Sequence, residues 1–247
     1  MPFIEKIRLS IKKRGFRGFL SASIKHVRDS VWVRVLEIYN LFSFFTFRVS
    51  HGQSFFTYQG LRLTHFVHPY NRTWENERSL EIPIVTSWLG AKRGESVLEL
   101  GNVMSHYISF PHVIVDKYEQ GIAVVNKDII DFQFSRPFEM IFSISTIEHV
   151  GYDCGEPFDP DKPLQAIKKM YSLLSDHGEM LLTFPIGYNP SIDDLILQRK
   201  FDFTRIYFWG NDGVSLQWRQ LTESLDRIVS NARKGRKTVC VCVVQKI

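Results

Sequence analysis

From residue 96 onward, short apolar runs alternate with helix-like segments, and each run stops on polar residues. Val97-Leu98 ends on Glu99-Leu100-Gly101-Asn102, Val113-Ile114-Val115 ends on Asp116, and Met140-Ile141-Phe142 leads into Ser143 through His149. Runs this short, bounded by Gly, Pro or Asp, are the signature of strands buried on both faces of a sheet. Their alternation with helices implies parallel crossovers. The pattern predicts strands at 96–100, 113–116, 140–143, 179–184, 205–209 and 238–245, and helices at about 103–110, 163–175 and 219–231. The expected fold class is α/β: a doubly wound, open, mostly parallel sheet. A chain of 247 residues suffices for one such domain plus an appendage. The domain is taken as residues 53–247 and the appendage as a basic helical arm, 1–52.

In the arm, Phe3, Ile4, Ile7 and Ile11, then Phe19, Ile24, Val27 and Val31, recur at helical spacings among Lys and Arg, with a break at Gly15 and Gly18. Residues 1–50 hold ten Lys and Arg against Glu5, Asp29 and Glu37, a net +7, so the rest of the chain carries −2 of the total +5. The basic pI of about 9.1 therefore belongs to the arm and does not argue for a nucleic-acid enzyme. Two readings of the arm stay open: residues 1–36 lie on an anionic membrane, with Phe3, Ile7, Ile11 and Phe16 inserted, or the helices pack on the domain or a dimer partner. Residues 54–68 alternate as a hairpin turning at Gln59-Gly60, and 74–89 read as a helix in which Pro83 should place a kink or boundary.

Cys154, Cys240 and Cys242 do not form a disulfide or zinc pattern. Cys240 and Cys242, two apart in a Val-rich run, read as small apolar fillers on one strand face. No secretory signal or apolar window of about eighteen residues occurs, so a reducing cytoplasm is expected, and the sequon Asn71-Arg72-Thr73 should stay unmodified.

Ligands of open parallel sheets bind beyond the carboxyl ends of the strands, so the polar tips are the candidate site. Gly101 allows close backbone approach, and a helix start behind it would offer amides to a carboxylate. Asp116 can accept from ribose hydroxyls. Asp128 can accept from an adenine amino group while Ile129 packs on the ring. Each has a plainer reading: Gly101 as a tight turn, Asp116 as a cap, Asp128 as a turn residue, Ser145 and Thr146 as caps. Together the tips suit adenosine joined to an amino acid.

In order, Val97–Gly101, Val113–Asp116, Lys127–Phe132, Met140–Val150 and the Leu173–Gly187 stretch resemble the successive motifs of the class I S-adenosylmethionine-dependent methyltransferases over residues 70 to 247. Tyr70–Arg78 joined to Glu99–Val103 resembles a bacterial and archaeal branch linked to surface-glycan synthesis. The resemblance implies a seven-stranded Rossmann-like sheet, S-adenosyl-L-methionine as cofactor, and a cofactor-binding set of Glu99, Gly101, Asn102, Asp116, Lys117, Asp128, Ile129, Ser145 and Thr146. It implies O-methylation of a sugar or other small or glycan acceptor, with His149 and Glu148 as catalytic residues. Two positions depart from the family: Val103 and Ser105 stand where further glycines are usual, and Ser145 stands where related enzymes place a metal-holding Glu, so no metal is expected.

His149 reads either as a general base or as a histidine that positions the cofactor. Asn71, Glu77, Arg78, Tyr70 and Trp74 read as a lid with stacking rings or as an ordinary helix start, and His106 and Tyr107 as cofactor contacts or packing. A nicotinamide oxidoreductase is disfavoured because residues 101–106 hold one glycine. A non-enzymatic scaffold with this fold is the remaining alternative.

Overall fold

The computed structural model describes residues 34–36, 38–90, 96–121, 123–153 and 155–246. Expectations for residues 1–33 and for Cys154 lie outside the described residues. The chain divides at Gly52–Gln53 into two units. In the first, residues 34–36 and 38–51 are helical (α1).

The second unit opens with a hairpin, β1 (Phe55–Tyr58) and β2 (Leu61–Thr64), joined where the sequence predicted. Gln59 and Gly60 both have positive φ, 50° and 79°, the geometry that matches strand twist in a two-residue turn. Helix α2 (Arg78–Leu89) then runs through Pro83 without ending there. Proline at 83 has no N–H for the Ser79 carbonyl, and the Phe66 amide takes that acceptor at 2.9 Å. The expected boundary is removed because a tertiary partner fills the gap.

The main sheet comprises β3 (Val97–Leu100), β4 (Val113–Val115), β5 (Val124–Val125), β6 (Phe138–Ile144), β7 (Leu174–Pro185), β8 (Arg205–Asn211), β9 (Arg219–Gln220) and β10 (Lys237–Gln245). Their spatial order is β5-β4-β3-β6-β7-β10-β8-β9. From β5 to β7 neighbours are parallel; β10, β8 and β9 pair antiparallel. The doubly wound sheet is as expected, with one short edge strand beyond seven. β9 lies inside the predicted helix 219–231, and the helix formed there is α5 (Leu225–Arg233). It starts after Ser224 because Trp209 and Gly210 draw Gln220 and Arg219 into the sheet edge.

Both faces are covered. On one, α3 (Lys162–Leu173), α4 (Pro190–Leu197) and α5 bury Ile167, Met170, Leu195 and Val229 against Leu98, Ile141 and Leu182. On the other, α2 and the hairpin bury Leu80, Ile84 and Phe56 against Val97, Phe142 and Val241. Cys240 and Cys242 are fully buried in the first layer with their sulfurs 3.4 Å apart, the apolar filling role expected of them.

The predicted helix 103–110 is absent. Only one tight turn forms, Met104–His106, and the chain then extends through Pro111 into β4. Met104, Tyr107 and Ile108 still pack into the second core layer, which accounts for the helical spacing of apolar residues.

Candidate active site

The sheet order reverses between β3 and β6, whose carboxyl ends lie side by side. A cavity of about 330 Å³ opens there, within the size range of small-molecule sites. Its walls take Gly101 and Asn102 after β3, Asp116 and Lys117 after β4, Asp128 and Ile129 after β5, and Thr146 and His149 after β6. Eight sequence-predicted residues thus share one cavity. Glu99, Ser145 and Glu148 do not line it.

Glu99 is fully buried behind the first turn. Its Oε1 accepts from the amides of Val103 and Met104 at 2.9 and 2.8 Å, and its Oε2 is 2.7 Å from His112 Nε2. The two amides expected to meet a ligand carboxylate are therefore taken by the protein's own carboxylate. Gly101 has φ +91°, and a Cβ there would stand 2.3 Å from Thr146 Oγ1, so close packing against β6 demands glycine at this point.

Asp116 combines its two readings. Oδ1 accepts from the amides of Tyr118 and Glu119 at 2.8 and 2.7 Å, while Oδ2 has no hydrogen bond among the described residues. Asp128 Oδ1 accepts from Ile130 N at 3.2 Å, and Oδ2 meets Lys117 and Lys162 at 3.1 and 2.8 Å. Burial works against this charge, but the hydrogen bonds from Lys162, Ile130 N and Lys117 outweigh it and hold the carboxyl below the ordinary range. Glu156, reaching over from the loop after β6, accepts from both lysines and closes a square of alternating charges.

Ser145 turns away from the cavity. Its backbone sits at φ +36°, a strained value for a non-glycine residue that costs about 1–3 kcal/mol, and its hydroxyl reaches Glu81 Oε1 at 2.7 Å. Glu81 is fully buried on α2 and also pairs with Arg78, so Arg78 is engaged and does not serve as a free lid residue. Burial pushes the Glu81 carboxyl up, and it pushes Glu148 well up. Glu148 Oε2 is buried without a hydrogen-bond partner among the described residues, which favours the neutral form of its carboxyl and closes it off from solvent. Trp74 is buried and does not form a stacking face, whereas Tyr70 is half exposed and stacks on His106 at 4.8 Å. His106 turns its Nε2 to Glu119 at 2.9 Å, and Glu119 also takes Asn102 at 2.6 Å.

His149 borders the cavity with its side chain 40% exposed. Its Nδ1 lies 2.9 and 3.1 Å from the two oxygens of Asp153, and Asp153 Oδ2 accepts from the Tyr188 hydroxyl at 2.6 Å. Sequence reading missed Asp153, Tyr188 and Glu81. Asp153, four residues from His149, carried a faint local signal; Tyr188 and Glu81 carried none.

An open sheet whose successive tips enclose a small cavity places the chain among α/β proteins with a cavity at the carboxyl ends of the strands. No family model and no curated protein matches the chain. Among solved structures, it is similar to a SAM-dependent methyltransferase from Archaeoglobus fulgidus, at 15% identity over 72% of this chain and 98% of that one, with a TM-score of 0.43. It is also similar to the N-methyltransferase NodS from Bradyrhizobium japonicum WM9 in complex with S-adenosyl-L-homocysteine, at 13% identity, 62% and 78% coverage and a TM-score of 0.33. A third, an S-adenosylmethionine-dependent methyltransferase from Clostridium acetobutylicum ATCC 824, matches at 10% identity, 73% and 100% coverage and a TM-score of 0.36. Likeness at this level carries nothing about chemistry or substrate.

Proposed function

We propose that the chain is an S-adenosylmethionine-dependent methyltransferase that methylates a hydroxyl of a small, sugar-like acceptor. The observation that carries the reading is the gathering of Gly101, Asp116, Asp128, Ile129 and His149 around one cavity. The donor set suits this cofactor. Asp116, Glu119, Asp128 and Glu156 line the cavity against Lys117, Lys127 and Lys162, an excess of one negative charge that favours a cationic ligand. Asp116 Oδ2 is available to ribose hydroxyls. Ile129 and Val150 offer apolar wall to a purine, and Asp128 Oδ1, holding one amide, retains a lone pair for an exocyclic amine.

When bound, the cofactor supplies a methyl group on a positively charged sulfur. The protein's part is to hold the acceptor hydroxyl in line and to remove its proton at His149.

A second reading, a scaffold that binds no cofactor, draws on the capture of the Val103 and Met104 amides by Glu99. Calorimetric titration separates the readings. The methyltransferase binds S-adenosylmethionine and S-adenosylhomocysteine and ignores NAD; silence toward all three leaves the scaffold, and binding of NAD alone overturns both.

A further inference from the structure

We propose that Asp153, itself held by Tyr188, is a positioning residue that locks His149 in the tautomer carrying its proton on Nδ1, leaving the Nε2 lone pair as the proton acceptor. The tautomer stands on geometry alone. Only the consequence for acceptor activation rests on the methyl-transfer reading.

Four distances and one angle decide it. Both Asp153 oxygens lie within hydrogen-bond range of Nδ1, at 2.9 and 3.1 Å. A carboxylate has only lone pairs to give, so the shared hydrogen belongs to the ring nitrogen. On the other side, Nε2 is 3.8 Å from Glu148 Oε1, beyond hydrogen-bond range, so nothing there rewards the opposite tautomer. The Tyr188 ring meets the imidazole edge-on at 5.1 Å and 71°, which fixes the ring plane as well as the proton.

The contacts come from two strand tips. His149 ends the turn Ile147–His149 after β6, and the amides of Tyr152 and Asp153 return to the His149 carbonyl at 3.2 and 3.4 Å. That return requires Gly151, whose φ is +70° and where a Cβ would stand 2.5 Å from the Asp159 carbonyl. Tyr188 arrives from the loop after β7, with Tyr152 edge-on to it at 5.6 Å. Its hydroxyl donates to Asp153 Oδ2 at 2.6 Å, and this bond, with some burial, pushes the phenol up to about 12, so Tyr188 stays a donor at neutral pH.

In turnover, the acceptor O–H bond would break with its proton passing to Nε2 and its electron pair staying on oxygen, which would form the bond to the methyl carbon as the methyl–sulfur bond breaks and its electron pair returns to sulfur. The imidazolium so formed keeps Asp153 as its counter-ion, an arrangement that favours proton transfer. The acceptor class selected is one whose attacking atom carries a proton, a hydroxyl before a thioether or a carbon centre.

The test is long-range proton–nitrogen NMR of histidine rings in the uniformly ¹⁵N-labelled full chain at pH 8, without cofactor or acceptor. His149→Gln identifies the His149 signals among the eight histidines. The expected result is a protonated, pyrrole-type Nδ1 and a pyridine-type Nε2 in the wild type, with the two assignments exchanging or averaging in Asp153→Ala. A protonated Nε2 in the wild type overturns the proposal, as does an unchanged spectrum in Asp153→Ala. If Asp153→Ala does not fold, the wild-type assignment alone decides. Because no cofactor is present, failure here is distinct from failure of the calorimetric test.

Discussion

Glu99→Gln isolates the buried carboxylate that organises the first turn of the site. The carboxylate accepts three hydrogen bonds, from Val103 N, Met104 N and His112 Nε2, with both side chains enclosed. A hydrogen bond to a charged group contributes about 1.5–3 kcal/mol and one to a neutral group about 0.5–1.5. Glutamine keeps the shape and an oxygen for the two amides, now as neutral bonds, but its NH2 meets the protonated His112 Nε2 donor to donor, so the charge-assisted pair is lost and the cost is about 3–4 kcal/mol, in line with the 3–5 kcal/mol typical of breaking a buried pair. At about 2–4 °C per kcal/mol for a unit of this length, Tm falls by roughly 6–16 °C.

The loss also depends on pH. His112 offers Nδ1 to the Phe110 carbonyl at 2.9 Å and Nε2 to Glu99, so both nitrogens carry protons and the ring is a cation. Burial lowers its pKa, but the hydrogen bond to Glu99, the Phe110 carbonyl and the Glu99 charge outweigh burial and raise it above 6.5. A group raised in the folded state gives its full stabilisation below the unfolded value, and that stabilisation disappears as pH climbs through the folded value. The gap in Tm between wild type and Glu99→Gln is therefore widest near pH 6 and narrows in alkali. Thermal unfolding followed by circular dichroism from pH 6 to 9 measures it. A change under 2 °C at pH 6, or a gap that widens with pH, refutes the reasoning.

Gly101→Ala combines a positive φ with a 2.3 Å approach to Thr146 Oγ1, and should cost about 2–5 kcal/mol in denaturant unfolding; adding Thr146→Gly should recover the crowding share but not the backbone strain. Asp116→Asn keeps an Oδ1 acceptor for the Tyr118 and Glu119 amides, so Tm should barely move, whereas cofactor affinity by calorimetry should fall roughly 10- to 150-fold. Glu148→Gln mimics the protonated acid: because burial raises the wild-type carboxyl, wild-type stability declines as pH rises above about 4.5, and the variant should have the higher Tm at pH 8, with a lower Tm there counting against the assignment.

Much of the frame was legible in order along the chain. The predicted strands at 96–100, 113–116, 140–143, 179–184 and 238–245 fall within or close to the inner strands, and Gln59-Gly60 marked its turn, because burial on two faces and positive φ are local demands that particular residues meet. The polar residues after those runs were legible as a set for the same reason: a parallel sheet places all its strand ends on one side.

Which of them face the cavity was settled only by tertiary contact. Glu99, Ser145 and Glu148 sit in the same motifs as Asp116 and His149, yet they turn toward the amides of the first turn, toward Glu81, and into the interior. The 103–110 segment kept helical spacing of its apolar residues but not a helix, only the turn Met104–His106 before the chain extends toward β4. The Ser145–Glu81 bond spans 64 residues and the Tyr188–Asp153 bond 35. The sequence by itself thus determined which apolar runs form the inner strands and which chemistry gathers at their tips, because periodicity and turn geometry are properties of neighbouring residues. The tertiary structure alone decided which side chains turn into the cavity, because a buried polar atom takes whatever partner the packing of distant elements brings within hydrogen-bond reach.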